Sequence, residues 1–266
     1  MANDFFKGKS VWITGASSGL GRALALELGS LGARLILSGR DETALASTAR
    51  DSVSEARLLP FDLEDAAACE NAANRALGFF GGLDFVILNA GISQRSVFVN
   101  TSKPVFERIM RTNFDSSVEI TRPLLPSMLR RGSGAIICVS SLAGLMGAPL
   151  RSAYSASKHA LAGFFASLRT ETEKSGVKIH IVYPGFINTM ISRNALEGDG
   201  ARHGVLDSLQ KNGLDPAAAA RHIVKGIARG RLDIRVAMDH KARLALFLSR
   251  HAPSLAARAL SRQASL

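Results

Sequence analysis

The stretch Ser10-Val11-Trp12-Ile13-Thr14-Gly15-Ala16-Ser17-Ser18-Gly19-Leu20-Gly21 joins a short apolar run to a glycine-bearing turn, and the turn to a helical pattern over 19–31. Strand, glycine turn and helix is the order in which a backbone comes close to a pyrophosphate. Glycines let the chain pass near the anion, and the amino end of a helix offers unpaired N–H groups at the positive end of its dipole. A bare triplet of glycines would be read as a turn and no more. Its position between a first strand and a first helix turns the reading to a dinucleotide cofactor, with Gly15, Ser17, Ser18, Gly19, Leu20 and Gly21 as binding residues.

The same alternation continues along the chain. Apolar runs at 33–38, 56–60, 85–88, 135–139, 177–182 and 233–237 are separated by helical patterns, 41–53 being the first of them. Strands that are apolar along their whole length belong to a parallel sheet covered on both faces. The expected fold class is therefore α/β, a doubly wound central parallel sheet of about seven strands flanked by helices. Ligands of such sheets sit beyond the carboxyl ends of the strands. Segment 184–213 breaks the rhythm with Gly185, Gly198, Gly200, Gly204 and Gly213, and is read as a mobile flap over a binding site. Asp215-Pro216 then reads as the cap and first turn of a helix to about 229. Residues 1–238 are taken as one domain and 239–266 as a basic amphipathic tail.

Composition bounds the class of protein. A chain of 266 residues with 47% hydrophobic and 21% charged residues, and no repeats, suits one large globular unit. Two cysteines, Cys69 and Cys138, cannot build a disulfide framework, which favours a reducing compartment and a cytoplasmic location. The start, Met1 to Lys7, lacks the cationic and long apolar regions of a secretory signal, and no stretch reaches the ~20 apolar residues of a spanning helix. A net charge of +11 admits nucleic acid, anionic lipid or a phosphorylated cofactor as partner. Nucleic acid is set aside, because aromatics are only 6% and no recognition motif interleaves them with the arginines. Much of the excess charge lies in the tail, where Lys241, Arg243, Arg250, Arg258 and Arg262 face one acid, Asp239. With Leu244, Phe247 and Leu248 before Pro253, and Leu255, Ala256, Ala259 and Leu260 after it, the tail suits peripheral membrane contact or docking on protein, evenly.

Residues 154–158 read Tyr-Ser-Ala-Ser-Lys. Four residues apart on a helix, Tyr154 and Lys158 project from one face and their heads can meet. An unassisted phenol is a poor base at neutral pH, and a lysine one turn away stabilises its phenolate. Each residue alone has a bland explanation, as a packing tyrosine or a snorkelling lysine. The end of the second strand, Ser38-Gly39-Arg40, carries no acid for an adenosine ribose, and its guanidinium can meet a 2′-phosphate. That predicts NADP(H) over NAD(H), with NAD(H) still admissible, although Asp41 beside Arg40 also reads as a helix cap.

Glycines spaced three and then one residue apart at 15–21, together with Tyr-x-x-x-Lys, resemble the short-chain dehydrogenase/reductase family over roughly residues 8–237. Asn89-Ala90-Gly91 resembles its Asn-Ala-Gly element, Asn113 its helix asparagine, and Pro184-Gly185 with Ile187 and Thr189 its nicotinamide-binding segment. Ser141, thirteen residues ahead of Tyr154, matches its catalytic serine, which Ser140 does not. The resemblance implies a Rossmann fold, a nicotinamide-dependent oxidoreductase, which Arg40 makes NADP-dependent, and hydride transfer between nicotinamide and a carbonyl carbon. In it Tyr154 exchanges the proton, Ser141 binds the substrate oxygen, and Lys158 also holds the ribose. Asn113 holds a water that links Lys158 to solvent. Asp62 and Leu63 would lie near the adenine, a helix N-cap being the other reading of Asp62.

A dimer or tetramer is implied as well. Leu142 to Leu150, Ile92 to Phe98 and 190–213 would line a largely apolar site for a ketone, aldehyde or alcohol, with Arg95, Arg151 or Arg193 at its rim. The stretch 191–196 and the tail are similar to the branch containing membrane-associated reductases of lipid-like carbonyls. His159 and Cys138 are read as packing residues, and no metal site is expected. The competing function is a dinucleotide-binding sensor or scaffold with vestigial chemistry, against which the intact Asn113, Ser141, Tyr154 and Lys158 argue.

Overall fold

The computed structural model describes residues 4–261. The chain begins β1 (Ser10–Thr14), α1 (Gly19–Ser30), β2 (Arg34–Ser38), α2 (Glu42–Asp51), β3 (Ala56–Leu58), α3 (Ala66–Gly78) and β4 (Phe85–Leu88). It continues α4 (Lys103–Met110), α5 (Ser116–Arg131), β5 (Gly134–Val139), α6 (Ser152–Glu171) and β6 (Val177–Pro184). The remainder is α7 (Ser208–Lys211), α8 (Pro216–Ala228), β7 (Asp233–Val236), α9 (His240–His251) and α10 (Pro253–Ser261).

The seven strands form one sheet in the order β3-β2-β1-β4-β5-β6-β7, every pair parallel. Successive side chains alternate between two apolar layers. Val11 and Ile13 of β1 belong to the same apolar layer as Leu24 and Leu28 of α1 and Ile223 of α8, whereas Trp12 belongs to the opposite layer, with Leu124 of α5 and Phe165 of α6. Both layers are closed by helices, which is why the central strands β1, β4 and β5 are buried along nearly their whole length, whereas the edge strand β7, Asp-Ile-Arg-Val, alternates exposed and buried. Strand order reverses between β1 and β4, and this opens a crevice at their carboxyl ends.

The edges depart from the sequence pattern. β3 stops at Leu58, earlier than the apolar run to residue 60, because Pro60 has no N–H to extend the ladder; Leu59 N–H still donates to Leu37 O at 2.9 Å. β6 runs two residues past 182, held by β7 through Tyr183 opposite Arg235 and Pro184 opposite Val236. Asp41 and Asp215 cap α2 and α8 as their positions imply, accepting from Ala44 N–H and Ala218 N–H, each at 2.9 Å.

Segment 184–213, expected as a structureless flap, is tied down along its length. Leu196 bridges to Gln94 and Arg202, Ile187 bridges to Leu214, and Ser192, Ala195 and Leu196 are buried. Its glycines supply close approaches: a Cβ on Gly198 would stand 2.0 Å from Asn100 O. The tail forms α9 and α10, and Arg262 lies outside the described residues.

Candidate active site

The floor of the crevice is made by side chains that lock β1 to β4. Thr14 Oγ1 accepts from Asn89 N–H at 3.1 Å and Ala90 N–H at 3.2 Å, and Asn89 Nδ2 donates to Thr14 O at 3.0 Å. Beyond them Gly15 (φ 69°) and Gly19 (φ 53°) turn the backbone through the left-handed region that favours glycine. Ser18 stands at the N-cap of α1 without a side-chain cap bond, so its hydroxyl does not claim the first-turn N–H groups.

A cavity of about 1450 Å³ runs from this turn across the strand ends. Of the sequence-expected residues, Gly15, Ser17 to Gly21, Arg40, Asp62, Leu63, Asn89 to Gly91, Ser141, Tyr154, Lys158, Pro184, Gly185, Ile187 and Thr189 all border it. Asn113 does not. It is fully buried in a π-helical turn, Arg111–Asp115, between α4 and α5. Its Oδ1 accepts from Ile92 N–H at 2.8 Å, and its Nδ2 donates to Ile92 O at 3.0 Å and Ser157 Oγ at 2.9 Å. The wall in front of it is Gly91, where a Cβ would stand 3.1 Å from Asn113 Oδ1 and 3.3 Å from Lys158 Nζ.

Tyr154 and Lys158 lie on one face of α6, both buried, with the lysine Nζ 5.8 Å from the phenol ring centre. Lys158 Nζ donates to Val139 O at 2.9 Å, which anchors it to the end of β5. The two adjacent serines have different duties. Ser140 is buried and donates to Lys158 O at 2.8 Å, fastening β5 to α6. Ser141 faces the cavity at the start of a 3-10 turn, Leu142–Gly144, its Oγ accepting from Ala143 N–H at 3.1 Å.

At the other end Arg40 is 59% exposed, and its Nη1 stands 3.9 Å from both Asp62 and Glu64. Asp62 is not the cap of α3. That position belongs to Asp65, which accepts from Ala68 N–H at 3.0 Å, while Asp62 turns back to Glu64 N–H. Three other expectations change. Of Ile92 to Phe98 only Ile92 lines the cavity, because Gln94 turns inward to Ala153 N–H and Thr101 Oγ1 and carries the loop away. His159 is exposed, with Nδ1 2.9 Å from Ser155 O, since one position past Lys158 points off the core face. Of the three rim arginines, Arg151 lines the cavity, Arg95 joins it through Asp207, and Arg193 does neither. Cys138 is a packing residue in β5, its thiol pushed up to about 12 by burial.

No local pattern in the chain marks Gln210. Buried in the short α7, it donates through Nε2 to Ile187 O and, at 3.3 Å, to Thr189 Oγ1, so α7 fixes the strand-end segment that follows Pro184.

The short chain dehydrogenase family model matches residues 9–200. The chain belongs to the short-chain dehydrogenase/reductase family. Members are oxidoreductases that use a nicotinamide dinucleotide. Dehydrogenase/reductase SDR family member 7B of Bos taurus is 38% identical over 263 residues, 96% of this chain and 81% of its own. The SDR family protein 7-like of Anopheles gambiae is 39% identical over 256 residues, 93% of this chain and 80% of its own. Among solved structures, a short-chain dehydrogenase/reductase from Burkholderia phymatum in complex with NAD superposes with TM-score 0.82 at 27% identity, over 94% of this chain and 95% of that one. A short-chain dehydrogenase from Streptomyces avermitilis gives 0.81 at 29% identity, over 96% and 95%.

The residues of this short-chain dehydrogenase/reductase fit a dinucleotide. The turn carries no side chain at Gly15, Gly19 and Gly21 where these border the cavity, the N–H groups of the first turn of α1 are free of a side-chain cap, and the volume exceeds the few hundred Å³ of a single small-ligand site.

Proposed function

We propose that this protein is an NADPH-dependent carbonyl reductase, or the reverse alcohol dehydrogenase, acting on a hydrophobic ketone, aldehyde or alcohol. The observation that carries the reading is that Tyr154, Lys158 and Ser141 border the same cavity as the uncapped glycine turn at α1.

When bound, the nicotinamide supplies or accepts the hydride. The residues that would hold the dinucleotide are Gly15, Ser17 to Gly21, Asp62, Leu63, Asn89 to Gly91, Pro184, Gly185, Ile187 and Thr189, all on the cavity wall. Tyr154 gives its proton to the substrate oxygen during reduction and takes it back during oxidation. Ser141 Oγ–H donates to that same oxygen. Lys158, held by Val139 O, keeps a positive charge beside the phenol and reaches the ribose hydroxyls. Asn113 acts from behind Gly91, orienting Ile92 and Ser157 and holding the water that resupplies Lys158.

Arg40 supports NADP(H) as the preferred coenzyme, with NAD(H) admissible. No acid ends β2, and the two acids near Arg40 are 3.9 Å away, which leaves the guanidinium free to turn to a 2′-phosphate. Peripheral contact with anionic lipid is supported by Leu244, Phe247 and Leu255, which stand 53–58% exposed on α9 and α10 among Lys241, Arg243, Arg250 and Arg258. Docking on protein is the other reading of these helices: Ala256 is buried, and Leu260 borders the cavity. Among the described residues no helix is long and apolar enough to cross a membrane. Two buried free thiols support a reducing, cytoplasmic setting, and family resemblance supports a dimer or tetramer, which light scattering would count.

The test is NADPH oxidation followed across a panel of ketones and aldehydes, with Tyr154→Phe as control. Turnover that depends on Tyr154 is expected. Undiminished turnover by Tyr154→Phe would overturn the mechanism, and silence across a broad panel in a protein that still binds NADPH would favour the sensor reading.

A further inference from the structure

The catalytic corner carries more positive charge than hydride transfer uses. Arg151 stands at the start of α6, three residues ahead of Tyr154, with a side chain 15% exposed that borders the cavity. Its Nη2 donates to Asp207 Oδ2 at 2.7 Å, and Arg95 Nη1 donates to the same oxygen at 3.1 Å. Two guanidinium groups therefore share one carboxylate, itself only 14% exposed. One positive charge in this partly buried cluster is left over, and each planar fork keeps N–H donors in reserve.

The rest of this wall does not neutralise it. Arg202, an exposed residue, borders the cavity as well, and its bridge to Leu196, itself bridged to Gln94, sets its backbone on the Arg95 side of this wall. The acids on the cavity wall are engaged elsewhere: Asp62 and Glu64 beside Arg40, and Asp239 capping α9 through Ala242 N–H at 2.8 Å. A guanidinium withdrawn from water beside only half a counter-charge is costly, and an oxyanion on a ligand removes that cost. Met146, Met190, Leu196 and Leu209 make much of the remaining substrate-side wall apolar.

We propose that Arg151, with Arg202, forms a subsite for an oxyanion on the substrate, a carboxylate or a phosphate. The preferred substrate is then a carbonyl compound with an apolar body and an anionic group within reach of Arg151 when the carbonyl lies at Tyr154. This rests on the carbonyl-reductase reading. Asp207 is a positioning residue that holds Arg151 in place and also competes with the substrate anion for it.

Three probes with one reacting group separate these ideas: 2,2,2-trifluoroacetophenone, 4-(trifluoroacetyl)benzoate and 4-(trifluoroacetyl)phenyl phosphate. Binding to the NADP-loaded full chain is read by calorimetry, and turnover by NADPH absorbance. At least one charged probe is expected to bind roughly tenfold tighter than the neutral ketone, equivalent to about 1.4 kcal/mol, and the tighter of the two names the oxyanion. Arg151→Met should erase that ratio and Arg151→Lys restore part of it. Asp207→Asn should raise the ratio, the opposite of what loss of a purely structural clasp would do. Charged probes that bind no better than the neutral one, or a preference that survives in Arg151→Met/Arg202→Met, would overturn the subsite. Turnover of the neutral ketone without an anion preference leaves the reductase reading standing. Anion binding without turnover of any probe leaves the subsite standing and rejects the reductase.

Discussion

The two ends of the cavity hold positive charge in opposite ways. Arg40, at the glycine-turn end, is 59% exposed and loosely faced by acids at 3.9 Å, whereas Arg151, beside Tyr154, is 15% exposed and clasped by Asp207 at 2.7 Å. An exposed guanidinium can swing to a phosphate but works in a high dielectric, so salt screens it. A buried, clasped one is fixed before the ligand arrives and acts at greater strength. The surroundings differ in kind as well. The glycine-turn end is built from backbone, the catalytic end from side chains that reach it from separate parts of the chain.

The point where the two ends meet gives the largest expected effect. Tyr154→Phe should lower turnover by about 10²–10⁴-fold while leaving the NADPH dissociation constant near that of the parent, as read by single-turnover kinetics and fluorescence titration.

Next comes the backbone end. A Cβ on Gly21 would lie 2.1 Å from Gly15 O, a backbone atom that cannot give way, whereas Gly147, on the catalytic-side wall, has nothing within 4 Å of its Cβ position. Gly21→Ala is expected to cost about 1–3 kcal/mol or more in thermal unfolding and to weaken NADPH binding, and Gly147→Ala to stay within about 0.5 kcal/mol. Equal effects of the two would remove the contrast between the ends.

Arg40→Asp should lower the ratio of kcat/KM with NADPH to that with NADH by about 10-fold or more, and added salt should narrow the ratio in the parent. A salt-insensitive ratio would mean that Arg40 is not the residue that discriminates.

The smallest effect belongs to a site at neither end. His180 of β6 is buried with Nδ1 2.7 Å from Arg231 O, and burial holds its pKa below the ordinary 6.5 although the Arg231 bond opposes the shift. The unfolded chain then takes up the proton first as pH falls. Stability from this group is complete above pH 6.5 and is lost on acidification below it, by an amount His180→Gln should remove from the acid limb of a Tm-against-pH curve. Turnover at neutral pH should not change.

The elements that could be read along the sequence are those whose physics is local. Strand, glycine turn and helix at 10–30, the Asp41 and Asp215 caps and the four-residue step from Tyr154 to Lys158 each depend on neighbours within a few turns of chain. Where the pattern misled, a distant partner had intervened. Glycines and weak periodicity at 184–213 read as a mobile flap, yet Gln94 and Asn100 fasten it from outside, Gln210 ties its far end back to Ile187, and Gln94 also removes most of Ile92 to Phe98 from the cavity.

The chain by itself determined the parallel sheet covered on both faces, the glycine turn after β1 and the shared helix face of Tyr154 and Lys158, because backbone propensity and helical spacing act over short stretches. Only the tertiary structure decided that Asn113 stands behind Gly91 and that Gln210 grips the segment after β6. It alone placed Arg95, Arg151 and Asp207 on one oxygen, across separations of 56 and 112 residues. A guanidinium carries the same charge wherever it occurs in a sequence. What sets its use is the burial and the counter-charge that the fold brings to it.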